Sequence, residues 1–391
     1  MVGTSAVLNL SLGGGEAIAS MPLGTFFLGS SAVSLTITPW IFPRWGRKLG
    51  FLTGITFGML GTALGAISVK ISSPCLYIVS TFFFGMATGL GFALRFAAVE
   101  VVPSHWAPRA VTLVVSGGVI AAFAGPEAAA ATRDIFGDEL TYMGVFLMTG
   151  VFNICNALCT VLVNFPDQGG KNASPTTPSI SFEDMTKMIE RRQFVVPMLV
   201  AVVGWASMGM PMSLVRVAMG QLGYTTTESL RVIELHFLGM YAPGFVTGNL
   251  IKRFGPKMIC YSSVVMFAVA QVISFLPDTD SDSIMLWSIC LVFVGIAWNF
   301  AFTASTVWLL QKGRPEQKTT LQAANDCFMF LLAGACIFAS SYIFKAGGSG
   351  LDGWQTLNWV VIGITGFMTC LLAIDAYVER KVQQLTLKVS N

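Results

Sequence analysis

The chain has 391 residues, 54% of them hydrophobic and 11% charged, with 23 Lys and Arg against 20 Asp and Glu. Soluble domains carry roughly a quarter charged residues, so an ordinary globular fold is excluded. The net charge of +3 gives no footing for a nucleic-acid partner.

Met1 to Gly15 contains too few apolar residues to span a bilayer, and no basic stretch precedes it to mark a cleavable signal peptide. It reads as the outer end of a helix whose beginning is missing, from a shortened isoform or a late-start gene model; a re-entrant N-terminus is the alternative. Eleven apolar runs follow, at 21–43, 49–69, 74–99, 109–132, 141–165, 194–215, 228–250, 258–277, 283–310, 320–344 and 354–377. Each is long enough to cross ~30 Å of hydrocarbon as a helix. A helix satisfies its own backbone in lipid, so the expected fold is an all-α integral membrane protein. With the N-terminal stub it has twelve crossings and both ends on one side.

Within this nearly uncharged pattern, Arg44-Trp45-Gly46-Arg47-Lys48 recurs 209 residues later as Arg253-Phe254-Gly255-Pro256-Lys257. The repetition implies an internal duplication: a first bundle over 1–165, a polar linker at 166–193 ending in a short amphipathic helix, and a second bundle with a short tail over 194–391. Both basic turns, Arg109, the linker, Lys312 to Lys318 and the tail fall on one side, which collects 17 of the 23 basic residues. The positive-inside bias places that side in the cytoplasm. The opposite loops include Asp278, Asp280 and Asp282, read as a solvated loop rather than a metal site.

Eight cysteines lie in or beside apolar runs without a Cys-x-x-Cys pair. Neither a metal site nor a disulfide framework is expected from them. No P-loop, Gly-x-Ser-x-Gly or His-Glu-x-x-His occurs, so neither an enzyme nor a cofactor is expected.

Two six-helix halves, a basic turn after the second helix of each and a long central loop resemble the Major Facilitator Superfamily over nearly the whole chain. Arg44-Trp45-Gly46-Arg47-Lys48 matches the end of that family's Gly-x-x-x-Asp-Arg-x-Gly-Arg-Lys pattern, but Pro43 stands where its acidic residue belongs. Gly117, Gly118, Gly125 and Pro126 resemble the family's fifth-helix glycine-proline pattern, with Gly125 and Pro126 the expected kink. In the fourth helix the family expects an arginine about where Gly85 stands; here the charge is Arg95, ten residues on. Segments such as Leu94–Ala98 and Asn325-Asp326 look like those of compact bacterial sugar-efflux-like or metabolite permeases.

An ionisable group inside a bilayer costs on the order of 2.5–3.5 kcal/mol, so it should face water or a partner. Arg95 is read as a substrate or anion contact, or else as an interhelical ion pair. Arg231 and Glu234, three apart, read as a structural pair. His236 is read as a substrate or proton contact, against a packing histidine, and Trp298 with Asn299 as groups that stack and hydrogen-bond a ligand. Asp326 and Glu127 are the candidates for proton coupling. Arg44, Gly46, Arg47, Lys48, Arg253, Gly255 and Lys257 are read as the gating turns.

The resemblance implies a monomeric secondary transporter that moves a small organic solute by alternating access, with proton coupling. The alternatives are a transport-inactive receptor or scaffold, a vitamin-type importer in place of an efflux carrier, and, third, a channel.

Overall fold

In the computed structural model the described residues are 5–165, 191–276, 284–313 and 318–390. They contain helices and no strand. The amphipathic end of the expected linker, over 166–190, and the Asp278–Asp282 run lie outside the described residues.

The N-terminal part comprises α1 (Ser5–Ser11), α2 (Met21–Thr36), α3 (Thr38–Lys70), α4 (Pro74–Phe92), α5 (Leu94–Glu100), α6 (Ala107–Ser116), α7 (Gly118–Thr132) and α8 (Met143–Leu162). The C-terminal part comprises α9 (Arg192–Gln221), α10 (Thr226–Tyr241), α11 (Gly244–Phe254), α12 (Pro256–Ser274), α13 (Ile284–Lys312), α14 (Lys318–Ala346) and α15 (Gly350–Ser390). Among the described residues, ten segments are long and apolar enough to cross a membrane.

Four expected spans are each built from two helices; the run 21–43 passes from α2 into α3 at Ile37. The run 74–99 bends at Ala93, and 109–132 bends at Gly117. The run 228–250 breaks at Ala242-Pro243 into pieces of 16 and 11 residues, so neither alone has spanning length. Proline lacks the N–H that would continue the ladder and clashes with the preceding turn. Asn299 of α13 staples this break: its Nδ2 donates to the Met240 carbonyl at 2.7 Å, and its Oδ1 accepts from Thr247 Oγ1 at 2.8 Å.

The two basic turns have the same backbone. Gly46 has φ 77°, ψ 173° and Gly255 has φ 82°, ψ 157°, a region essentially reserved for glycine. Helix pairing repeats in the same way. Gly85 of α4 meets the backbone of Phe26 in α2, and Gly295 of α13 meets the backbone of His236 and Met240 in α10. Neither position has room for a Cβ, which is why the arginine expected near Gly85 has no place there.

The two parts touch along two seams. In one, Ser20 of the chain entering α2 exchanges hydrogen bonds with Ser341 of α14, and Ser31 Oγ donates to the Cys327 carbonyl at 3.0 Å. In the other, Gly118 of α7 lies against the ring of Tyr241, and Arg109 Nε donates to Asn249 Oδ1 at 2.8 Å.

Candidate functional site

Between the two seams lies a cavity of about 380 Å³, walled by α2, α4 and α7 on one side and α9 and α10 on the other. That size falls in the range of small-molecule sites, ~300–1,000 Å³. Its surface is largely aromatic and aliphatic, and no Asp, Glu, Lys, Arg or His lines it among the described residues.

Trp205 of α9 is the hub of its wall. The indole meets Phe27 at 5.3 Å, Trp298 at 4.9 Å, Phe302 at 5.5 Å, Phe330 at 5.5 Å and Phe92 at 5.8 Å between ring centres, all nearly edge to face. Aromatic pairs favour that geometry and are worth about 0.5–1.5 kcal/mol each beyond burial. Phe92, Phe302 and Phe330 form a layer beneath the cavity, toward the end that carries the basic turns.

Directly behind this layer stands Arg95. Its guanidinium lies over Phe302 at 4.7 Å and over Phe92 at 5.4 Å, and Nη2 meets Asp326 Oδ1 at 2.5 Å. The arginine side chain is 1% exposed and the aspartate side chain 8%. Asn325 Nδ2 donates to the same carboxylate oxygen at 3.1 Å. The pair joins α5 to α14, one helix from each part, behind the aromatic layer on the basic side of the cavity.

The opposite end has a polar clasp. Glu16 accepts from Gln221 Nε2 at 2.6 Å and from Ser349 Oγ at 2.8 Å, while Gln221 Oε1 accepts from the Gly350 N–H at 2.6 Å. It ties the loop before α2 to the end of α9 and the start of α15.

The other residues singled out by sequence are dispersed. His236 is buried against α13, where its Nδ1 meets the Leu291 carbonyl at 2.7 Å, and it does not line the cavity. Helical spacing decides this: Ile233, Phe237 and Met240 take the cavity face of α10. Trp298 stands behind Trp205, stacked on Phe302 at 5.2 Å. The amide of Asn299 is consumed by the α10–α11 break, so neither residue reaches the cavity. Glu127 is exposed and interacts electrostatically with Glu234 across the α7–α10 seam, whereas its neighbours Gly125 and Pro126 line the cavity.

The gating turns differ in their partners. Arg44 lies over Trp40 at 5.3 Å, Arg47 over Phe42 at 4.8 Å, and Lys48 Nζ donates to the Val161 carbonyl at 2.8 Å. In the second turn Arg253 lies over Phe254 at 5.2 Å, and Lys257 binds Asp375 at 2.6 Å and Glu379 at 2.5 Å. Asp375 also receives Arg192 at 2.8 Å, so this turn is locked to the ends of α9 and α15.

Sequence reasoning passed over Trp205, Tyr77 and Arg216. Trp205 and Tyr77 sit inside uniformly apolar runs. Arg216 falls just past the expected end of its span, because α9 continues to Gln221.

The model of the Major Facilitator Superfamily matches residues 1–337. The chain is 26% identical to the riboflavin transporter RfnT of Brucella anthropi, over 94% of this chain and 89% of that protein. Among solved structures, a single-residue variant of the nucleoside transporter NupG superposes with TM-score 0.66 at 12% identity, covering 95% of this chain and 94% of that one. The E. coli fucose:proton symporter FucP gives TM-score 0.63 at 14% identity, covering 95% and 96%.

Proposed function

This chain belongs to the Major Facilitator Superfamily, and from that premise we propose that it is a secondary carrier for a planar, vitamin-type organic solute of the riboflavin class. The observation that carries the reading is a central aromatic cavity shared by the two parts and flanked at each end by side-chain contacts that cross between them. Flat rings suit walls built from Phe27, Phe92 and Trp205, and the riboflavin transporter RfnT is a relative over most of both chains.

In this reading the two parts rock about the cavity near the bilayer midplane. The basic end faces the cytoplasm, a sidedness that the distribution of lysine and arginine supports. The Arg95–Asp326 pair and the clasp at Glu16 open alternately. Transport is coupled to protons: a proton taken by Asp326 neutralises the carboxylate and releases Arg95. Glu127, exposed at the α7–α10 seam, is a second candidate for the coupling proton.

The test is uptake of labelled riboflavin by proteoliposomes holding the purified protein, with and without a pH gradient. Saturable uptake that the gradient drives above equilibrium supports the proposal. Binding without flux favours the receptor alternative, and neither binding nor flux removes the flavin class.

A further inference from the structure

The cavity has two chemically different ends, and at or beside each lie hydrogen-bond donors without a partner among the described residues. Trp205 Nε1 lies at the aromatic end, buried and without a partner. An indole N–H can only donate. At the other end the Tyr77 hydroxyl, on a fully buried ring that lines the cavity, also has no partner. Arg216 of α9, which like Tyr77 interacts with Tyr142, lies just outside the lining, one helical turn beyond Met212 and bonded through Nε to Ser229, next to the lining residue Leu230. Arg216 is 6% exposed, its Nη1 has no partner, and among the described residues no carboxylate lies within ion-pair distance.

Buried polar groups without partners are rare in native proteins, and each calls for an explanation. A buried guanidinium without an anion is costlier still. The lining threonines are engaged elsewhere: Thr88 and Thr149 donate to carbonyls of their own helices, and Thr81 donates to the Ile78 carbonyl and pairs with Thr25 Oγ1 at 2.8 Å, so none of these bonds reaches Trp205, Tyr77 or Arg216. Trp205 and Arg216 are eleven residues apart on one helix, about 16 Å by helical rise.

We propose that this site holds an elongated solute, with a flat heteroaromatic ring whose edge carbonyl accepts from Trp205 and an oxygen-rich tail that accepts from Tyr77 and Arg216. The inference rests on, and deepens, the flavin reading, since riboflavin has a tricyclic ring with edge carbonyls and a polyhydroxylated chain. It also separates this site from one for planar cations, because no acid among the described residues lines the cavity. Thr88 and Thr149, whose hydroxyl protons go to their own helices, retain lone pairs that can accept from hydroxyls of the same tail.

The experiment compares equilibrium binding of riboflavin with that of lumichrome, a bare tricyclic relative without the tail, read by flavin fluorescence on the purified full chain. Adenosine and adenine form a second ring-plus-tail and bare-ring pair. The variants are Trp205→Phe, Tyr77→Phe and Arg216→Met, each checked by size-exclusion profile and thermal unfolding. Each lost hydrogen bond is expected to weaken binding about tenfold. Tyr77→Phe and Arg216→Met weaken riboflavin and leave lumichrome unchanged, whereas Trp205→Phe weakens both.

If Tyr77→Phe and Arg216→Met change both ligands equally, or change neither, the two-ended site is wrong. If wild type ignores both flavins but prefers adenosine to adenine with the same variant pattern, the flavin reading falls and the two-ended site stands. If wild type never distinguishes a tailed ring from a bare one, or binds a planar cation such as ethidium more tightly than any of them, the inference is overturned. Should Arg216→Met fail to fold, Arg216→Lys with Tyr77→Phe decides between the same outcomes.

Discussion

Replacing Asp326 with asparagine strips the Arg95 guanidinium of its carboxylate while keeping the shape of the side chain. The two side chains are 1% and 8% exposed and meet at 2.5 Å, so the remaining positive charge stays buried behind the aromatic layer. Removing one partner of a buried pair costs about 3–5 kcal/mol. That penalty applies only while the basic end is closed, because opening hydrates Arg95. At ~1.4 kcal/mol per tenfold, the balance should move toward the open basic end by on the order of a hundredfold to a few thousandfold. The contacts of Arg95 with Phe92 and Phe302 favour the lower figure.

Cys327, the residue after Asp326, is a native reporter: it is buried in the α2–α14 seam with its Sγ 3.5 Å from Ser31 Oγ. In a variant retaining only this cysteine, its rate of modification by a water-soluble thiol reagent reads the open population. Asp326→Asn should raise that rate at least tenfold, and Arg95→Met combined with Asp326→Leu should return it toward wild type, because an apolar pair leaves no orphan charge. A folded Asp326→Asn protein labelled at the wild-type rate would show that the ion pair does not hold this end shut.

Gly46→Ala and Gly255→Ala place a Cβ in backbone that strains any other residue, so each should lose about 1–3 kcal/mol of stability, read by thermal unfolding; an unchanged midpoint refutes the shared turn geometry. Asn299→Ala removes both bonds across the α10–α11 break and should cost about 1–3 kcal/mol with solute affinity intact, whereas a selective loss of affinity would place Asn299 at the solute. His236→Asn should leave the pH dependence of uptake unaltered, since His236 lies against α13; a shifted profile assigns it a coupling role. Glu16→Ala loses the clasp to Gln221 and Ser349 and should speed labelling of a cysteine placed in the cavity from the end opposite the basic turns.

Part of this was legible in the residues. The basic turns stand out because charge is so scarce, and the identical backbone at Gly46 and Gly255 is what their spacing implies. Arg95 and Asp326 could each be singled out as charges within apolar runs. Their pairing could not, because the partners are 231 residues apart and meet only through packing of α5 on α14. The cavity was the least legible part. Trp205, Met208 and Met212 share one face of α9, but in a helix buried all round there is no polar face to show which side is wet. Asn299 attracted attention as a polar group in an apolar helix, yet its role is to satisfy a break that Pro243 makes two helices away.

The central claim is that two helix bundles expose one shared cavity to either side in turn. The most direct measurement is a pair of spin-label distances in the same purified protein, one across the basic end between positions 109 and 249, the other across the far end between the exposed positions 15 and 220, which leave Glu16 and its partners in place. The account predicts opposed changes: Asp326→Asn lengthens the first distance while the second stays short, and Glu16→Ala does the reverse. Two distances that rise and fall together, or that do not respond to either substitution, would contradict it.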